Sequence, residues 1–301
     1  MKVALCFLVN YNNEIKKEQI WRDWIEPNKD IIDVHIHFNK KIPIKSKWIQ
    51  KHAIPMDFVL DTSYYHVVPA YLAVLQFAYN KNSKSQWFCM LTESCVPIIS
   101  PDQFRRLFTY NYQTTILSWR KAWWNVDFHK RANLRYFKPD MRIGHDPWFV
   151  LSRSDVLRIV SYPINNQHVY HLICKGGLAN ESIFAMILHQ NKTLEKVINS
   201  SSHITDWSKP SSSTSPYVFS KGDTDELKFI NDTIHKNKYT MFLRKIEYTF
   251  PDTTIKNIWK NNSQLNMEDK QLEFASQDIM WYLYICLLLT SLFSCSILFI
   301  F

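Results

Sequence analysis

Glycine is scarce in this sequence, with four residues in the whole chain, and that scarcity removes several chemistries at once. There is no G-x-G-x-x-G, G-x-x-x-x-G-K-[ST] or G-x-S-x-G segment, so a dinucleotide fingerprint, a P-loop and a nucleophile elbow are excluded. Any diphosphate has to be gripped by side chains. H-E-x-x-H is missing too. Six cysteines in 301 residues have neither the density of a disulfide scaffold nor paired zinc spacing. Cys286 and Cys295 fall in the apolar C-terminal segment. Cys6, Cys89, Cys95 and Cys174 suit a reducing compartment and leave room for a Cys89–Cys95 or Cys95–Cys174 bridge. The net charge of +9 is spread without a basic block. Such a diffuse field suits phosphate-bearing ligands, acidic surfaces or nucleic acid without choosing among them. No continuous basic and aromatic stripe marks a nucleic-acid track, and there is no internal repeat.

Aromatic residues, by contrast, are plentiful: 15% of the chain, with eleven tryptophans. Segments this aromatic repay the entropy of ordering, which argues against disorder, and the length suits one α/β domain. Val3 to Val9 is apolar and breaks at Asn10, reading as a buried first strand rather than a degenerate signal peptide. Ile279 to Phe301 carries no charge. As a helix it spans roughly 34 Å, enough for a hydrocarbon layer of about 30 Å, with Trp281, Tyr282 and Tyr284 at one interface. The expected organisation is a catalytic domain over 1–255, a polar connector over 256–278 and a transmembrane helix over 279–301. The expected topology is single-pass and C-terminally anchored, with the domain on the cytosolic side.

Within the domain, hydrophobic spacing predicts a helix over 14–25 stopped by Pro27, a strand over 31–38 and a short strand over 58–60. A helix over 67–79 follows, with Pro69 in its first turn, then a central strand over 87–91. Alternation of this kind predicts a mostly parallel sheet with its ligand at the carboxyl ends of the strands, beside Thr92, Glu93 and Ser94. Residues 118–149, crowded with Trp, Arg, Lys and His, read as a functional excursion. Two further helices are expected, at 156–160 with Ser154 as cap and at 181–189 with Asn180 as cap.

Each candidate constellation has a plain reading beside its functional one. His35 and His37 share one side of a strand, which suits a metal pair or a satisfied pair at a cleft edge. Asp223, Asp225 and Glu226 suit metal ligands or the start of a solvated helix. Arg244 and Lys245 follow an apolar run, as a surface turn or as a clamp on a departing diphosphate. Glu181 suits a first helical turn, or a general base taking the proton of an acceptor hydroxyl. Inverting transfer needs that base on the face opposite the leaving group.

Several blocks, in order, carry a resemblance. They are Val3-Ala4-Leu5-Cys6-Phe7-Leu8, Val34-His35-Ile36-His37, and Trp87-Phe88-Cys89-Met90-Leu91-Thr92-Glu93-Ser94-Cys95-Val96-Pro97-Ile98. Then come Arg135-Tyr136, Met141, Gly144, Trp148-Phe149, Ser152-Arg153, Asn180-Glu181-Ser182-Ile183-Phe184, Thr205-Asp206-Trp207-Ser208 and Phe242-Leu243-Arg244-Lys245-Ile246. Over residues 2 to about 250 the chain resembles the core-2 and I-branching β-1,6-N-acetylglucosaminyltransferases, glycosyltransferase family 14, which includes xylosyltransferases. The resemblance implies a GT-A-like fold and inverting transfer from a UDP-sugar, GlcNAc before xylose, to a hydroxyl of a glycan, glycoprotein or lipid-linked acceptor. It implies no divalent metal. Glu181 becomes the expected base and Lys245 the main diphosphate contact, with Arg244 orienting it; Val9, Asn39, Ser63, Thr92, Glu93 and Ser94 are carried over to the donor site. Asn39 departs from the family's usual Asp, Leu60-Asp61 from Trp-Gly, and Gly144-His145-Asp146-Pro147-Trp148 from Lys-Gly-x-Gln-Trp. The alternatives are a catalytically degenerate, membrane-bound glycan-binding or scaffold protein, and a membrane-associated nucleic-acid binder.

Overall fold

In the computed structural model, residues 1–9, 12–212 and 214–261 are described. Strand and helix alternate at first: β1 (Lys2–Val9), α1 (Glu18–Ile25), β2 (Ile32–Phe38), α2 (Lys47–His52), α3 (Val68–Lys81) and β3 (Ser85–Thr92). Short β4 (Val96–Pro97), α4 (Pro101–Asn111), β5 (Trp119–Lys121), β6 (Ile143–His145) and β7 (Val150–Ser152) follow. Next are α5 (Arg153–Asn165), α6 (Gln167–Lys175), α7 (Ile183–Gln190), β8 (His203–Ile204), α8 (Thr224–Lys236) and β9 (Phe242–Leu243). A helix over 252–261 ends the described chain.

The main sheet has the order β2-β1-β3-β7. β1 runs parallel to both β2 and β3, whereas β7 pairs antiparallel with β3. The α/β class is therefore as expected, and the sheet is mixed: its parallel part ends at the β7 edge. Successive residues of β1 point to opposite faces, and both faces are apolar because both are covered. Ala4, Cys6 and Leu8 pack beneath α3, α5 and α7. Val3, Leu5, Phe7 and Val9 pack against Trp21, Trp24 and Phe104 of α1 and α4. The two fully buried α1 tryptophans need partners for their indole N–H groups, which donate to the carbonyls of Cys95 (3.0 Å) and Ile99 (2.8 Å).

Several sequence expectations need correction. Residues 58–60 form no strand: Met56–Phe58 is a 3-10 turn after Pro55, and the Leu60 amide donates to His37 Nε2 (3.1 Å) instead of to a ladder. Ser152, not Ser154, caps α5, its side chain accepting from the Asp155 amide. Glu181 lies before α7, in a 3-10 turn over Ala179–Glu181, so helix-dipole stabilisation in a first α-helical turn does not explain it. The four cysteines with described surroundings are all free. Residues 256–261, expected in the connector, are helical; Ile255 and Ile258 are buried in an apolar cluster with Phe219 and Leu243. Among the described residues no helix is long and apolar enough to cross a membrane. The expected span at 279–301 lies outside those residues.

Candidate active site

β1 and β3 end side by side, with Leu8 opposite Thr92, and the chain turns there through Glu93 and Ser94. A second, small sheet crosses this end. In it β9, whose Phe242 and Leu243 are fully buried, pairs antiparallel with β4 and parallel with β8. The residues that follow β9 are then pinned by the backbone: the Arg244 amide donates to Ile204 O, the Ile246 amide to Ser94 O, and the Phe219 amide to Lys245 O. Arg244 and Lys245 thus lie over the end of β3, about 150 residues away in sequence.

Arg244 Nη1 donates to the hydroxyls of Thr92 and Ser94, the latter at 2.7 Å. Its guanidinium lies 4.4 Å from the ring centroid of Trp148, a cation–π geometry. Lys245 Nζ donates to Ser215 Oγ (2.5 Å). Burial, then the neighbouring Arg244, holds the Lys245 ammonium below the usual lysine range, with Glu93 opposing.

Glu181 reaches the same place from another direction. Leu178 is held at φ 56°, a left-handed conformation that side-chain-bearing residues rarely take, and the turn after it carries Glu181. One carboxylate oxygen accepts from Arg131 Nη1 at 3.0 Å. The loop bearing Arg131 comes so close to the end of α6 that a Cβ on Gly176 would lie 2.3 Å from the Asn133 amide nitrogen. Only glycine fits that approach. Burial raises the Glu181 carboxyl pKa, the charge of Arg131 opposes, and Asp146 adds to the rise; the net shift is upward.

These groups line one cavity of about 650 Å³. Glu181, Lys245, Arg244, Thr92 and Glu93 all contribute to its wall, together with Arg131. Tyr71, buried between helix and cavity, feels the charges of both Arg244 and Glu181, so the acid and the cations act on a shared space. Four of the predicted residues are not on the wall. Ser94 is buried, its hydroxyl accepting from Arg244. Val9 is fully buried in the core. Asn39 is bound by its backbone to the Asn13 amide group (2.9 and 2.8 Å), and Ser63 sits in an exposed turn whose carbonyl accepts from His66.

The rival readings of the other constellations resolve simply. His37 Nε2 accepts from the Leu60 amide, His35 Nε2 and His37 Nδ1 are buried without a hydrogen bond, and burial pushes both residues down to about 4. Asp223 caps α8, and the buried Glu226 accepts from three consecutive amides and from Tyr217. Among the described residues no three His, Cys, Asp or Glu side chains group as metal ligands. Sequence reasoning missed Arg131 and Asp146 as cavity residues. The crowding of cations and tryptophans over 118–149 was the available signal, but Arg131 bears on Glu181 only through the fold. Arg135 stacks instead on its neighbour Tyr136, 4.7 Å from the ring centroid.

An α/β domain with an acid and two cations around a cavity at its strand ends has the parts of a group-transfer enzyme. The family model for the Core-2/I-Branching enzyme matches residues 4–228, well over half of the chain, and the protein belongs to that glycosyltransferase family. The match includes Glu181 and Arg131 and ends before Arg244. A comparison with curated proteins returned no match. Among solved structures the chain is similar to 4-diphosphocytidyl-2C-methyl-D-erythritol synthase from Anaerococcus prevotii, with 11% identity and a TM-score of 0.32 over 64% of this chain and 99% of that one.

Proposed function

We propose that the protein is an inverting glycosyltransferase of GT-A type that moves a sugar from a UDP-sugar, GlcNAc before xylose, to a hydroxyl of a glycan or glycoconjugate. The observation that carries this reading is the shared cavity, which Glu181, Arg244 and Lys245 all line. Glu181 takes the proton of the acceptor hydroxyl as its oxygen attacks the anomeric carbon. The bond from that carbon to the diphosphate breaks on the opposite face, and the departing UDP gains negative charge. Arg244 and Lys245 stabilise that charge, preorganised by Thr92, Ser94, Trp148 and Ser215. The two cations supply the positive charge that a divalent ion supplies in other sugar-nucleotide enzymes.

Incubating the protein with a panel of UDP-sugars and hydroxyl acceptors, with and without EDTA, tests the proposal. The expected product is a β-glycoside from an α-linked donor, formed at a rate that EDTA leaves unchanged. Binding of UDP without transfer from any donor favours the degenerate glycan-binding alternative, and salt-sensitive binding of RNA or DNA alone favours the nucleic-acid reading.

The acid limb of the pH profile follows from Glu181. Activity requires its carboxylate, so kcat/KM falls as pH drops through a pKa lying above the ordinary glutamate range. Arg131 favours the charged form and therefore lowers that pKa. Arg131→Ala should move the acid limb to higher pH while leaving the alkaline limb in place. A limb that stays put or moves downward contradicts the assignment of either residue.

A further inference from the structure

The outer edge of β2 has no partner strand along Ile32 and Val34, which are 5% and 9% exposed and line a cavity at the end of the sheet away from the catalytic cavity. Ile36 turns its carbonyl outward to the Ile54 amide (2.9 Å), in a bridge to the chain before Ile54. By the two-residue period of a strand, Val34 and Ile32 present their N–H and C=O groups on the same side. β2 is the terminal strand of its sheet, and among the described residues nothing pairs those groups. Such an edge is a template for another strand, and exposed edges are normally covered or blunted.

A cavity of about 600 Å³ lies along this stretch, with Val34, Ile25 and Trp48 among its walls. Around it stand Arg22, Lys51 and Lys81, carried by α1, α2 and α3. All three are exposed and have no carboxylate partner among the described residues. Both acids on the wall are already engaged: Asp33 with Lys2 and Asn82, Glu26 with Lys29. His35, 7% exposed, also lines the cavity, and its Nε2 makes no hydrogen bond.

We propose that this cleft binds an extended acidic peptide segment of a partner protein, added as a strand to the edge of β2. The backbone groups of Val34 and Ile32 give the segment its register. An apolar side chain seats against Ile25 and Trp48, and acidic side chains meet Arg22, Lys51 and Lys81. A compact anion would use the cations but leave the strand edge unpaired, so the edge favours a peptide. The site is separate from the catalytic cavity, sharing no wall residue with it, and the inference does not rest on the proposed transfer reaction.

Fluorescence anisotropy of a labelled peptide, Glu-Val-Glu-Val-Glu-Val-Glu, on the purified full-length protein tests it. Saturable binding is expected, weakening by about tenfold in the exposed-site double variant Lys51→Glu with Lys81→Glu. A peptide with N-methylated valines, which cannot donate from those positions, should also bind about tenfold more weakly. Circular dichroism and thermal unfolding of the double variant should match wild type and certify its fold. No saturable binding, equal binding of the N-methylated peptide, or displacement by inorganic phosphate at millimolar concentration overturns the proposal; the last two outcomes indicate a simple anion site.

Discussion

Glu181→Gln should lower kcat by about two to four orders of magnitude, the range that a positioned general base contributes. In energy this is about 3–5 kcal/mol of transition-state stabilisation. Glutamine keeps the size of the side chain, and its carbonyl oxygen can still accept from Arg131 Nη1, which lies 3.0 Å from the native carboxylate. What it lacks is a site for the acceptor's proton at neutral pH. The affinity for UDP, assigned to Arg244 and Lys245, should change little. Calorimetry with UDP and single-turnover transfer read the two effects separately. A variant that binds UDP and transfers at the wild-type rate removes Glu181 from the chemistry. One that loses both functions reports a damaged cavity, and thermal unfolding distinguishes that case.

The features that were legible in the sequence are those that a local pattern dictates. β1, β2 and β3 were visible because their apolar runs are almost wholly buried, and α3 because its apolar residues recur along one buried side, Val68, Tyr71, Val74, Leu75 and Ala78 among them. The position of Thr92 and Glu93 at the end of a parallel strand followed from that alternation. Residues 58–60 deceived because three apolar residues suggest a strand, whereas the Leu60 amide is committed to a histidine ring. At Glu181 the apolar run of α7 was read correctly, but the helix starts two residues later, after a left-handed residue whose conformation no periodicity signals. Val9, Asn39 and Ser63 were carried over by resemblance alone. Position in a motif does not say where a side chain lies: Val9 is in the core, Asn39 half-buried and Ser63 exposed. The Arg131–Glu181 pair spans fifty residues and depends on Gly176 allowing two backbones to approach, so it could be found only once the chain was folded.

The second large effect is expected at Arg244. Its Nη1 group bridges Thr92 and Ser94, and its planar face covers Trp148. The side chain is therefore held in one orientation before any ligand arrives, and electrostatic stabilisation of this kind needs no reorganisation as charge develops on the leaving group. Removing such a preorganised group from a developing oxyanion costs about 10²–10³ in kcat in comparable sites, so Arg244→Ala should lose that much and weaken UDP binding as well. Arg244→Lys separates charge from geometry. An ammonium keeps the positive charge but cannot reproduce the planar fork or the stack on Trp148. It should restore UDP affinity more than it restores kcat. Measured kcat and UDP dissociation constants for both variants decide the matter. If lysine recovers both equally, Arg244 acts only as a point charge. An alanine variant as fast as wild type removes Arg244 from the chemistry and leaves Lys245, whose ammonium is then opposed by burial but no longer by Arg244, to hold the leaving group alone.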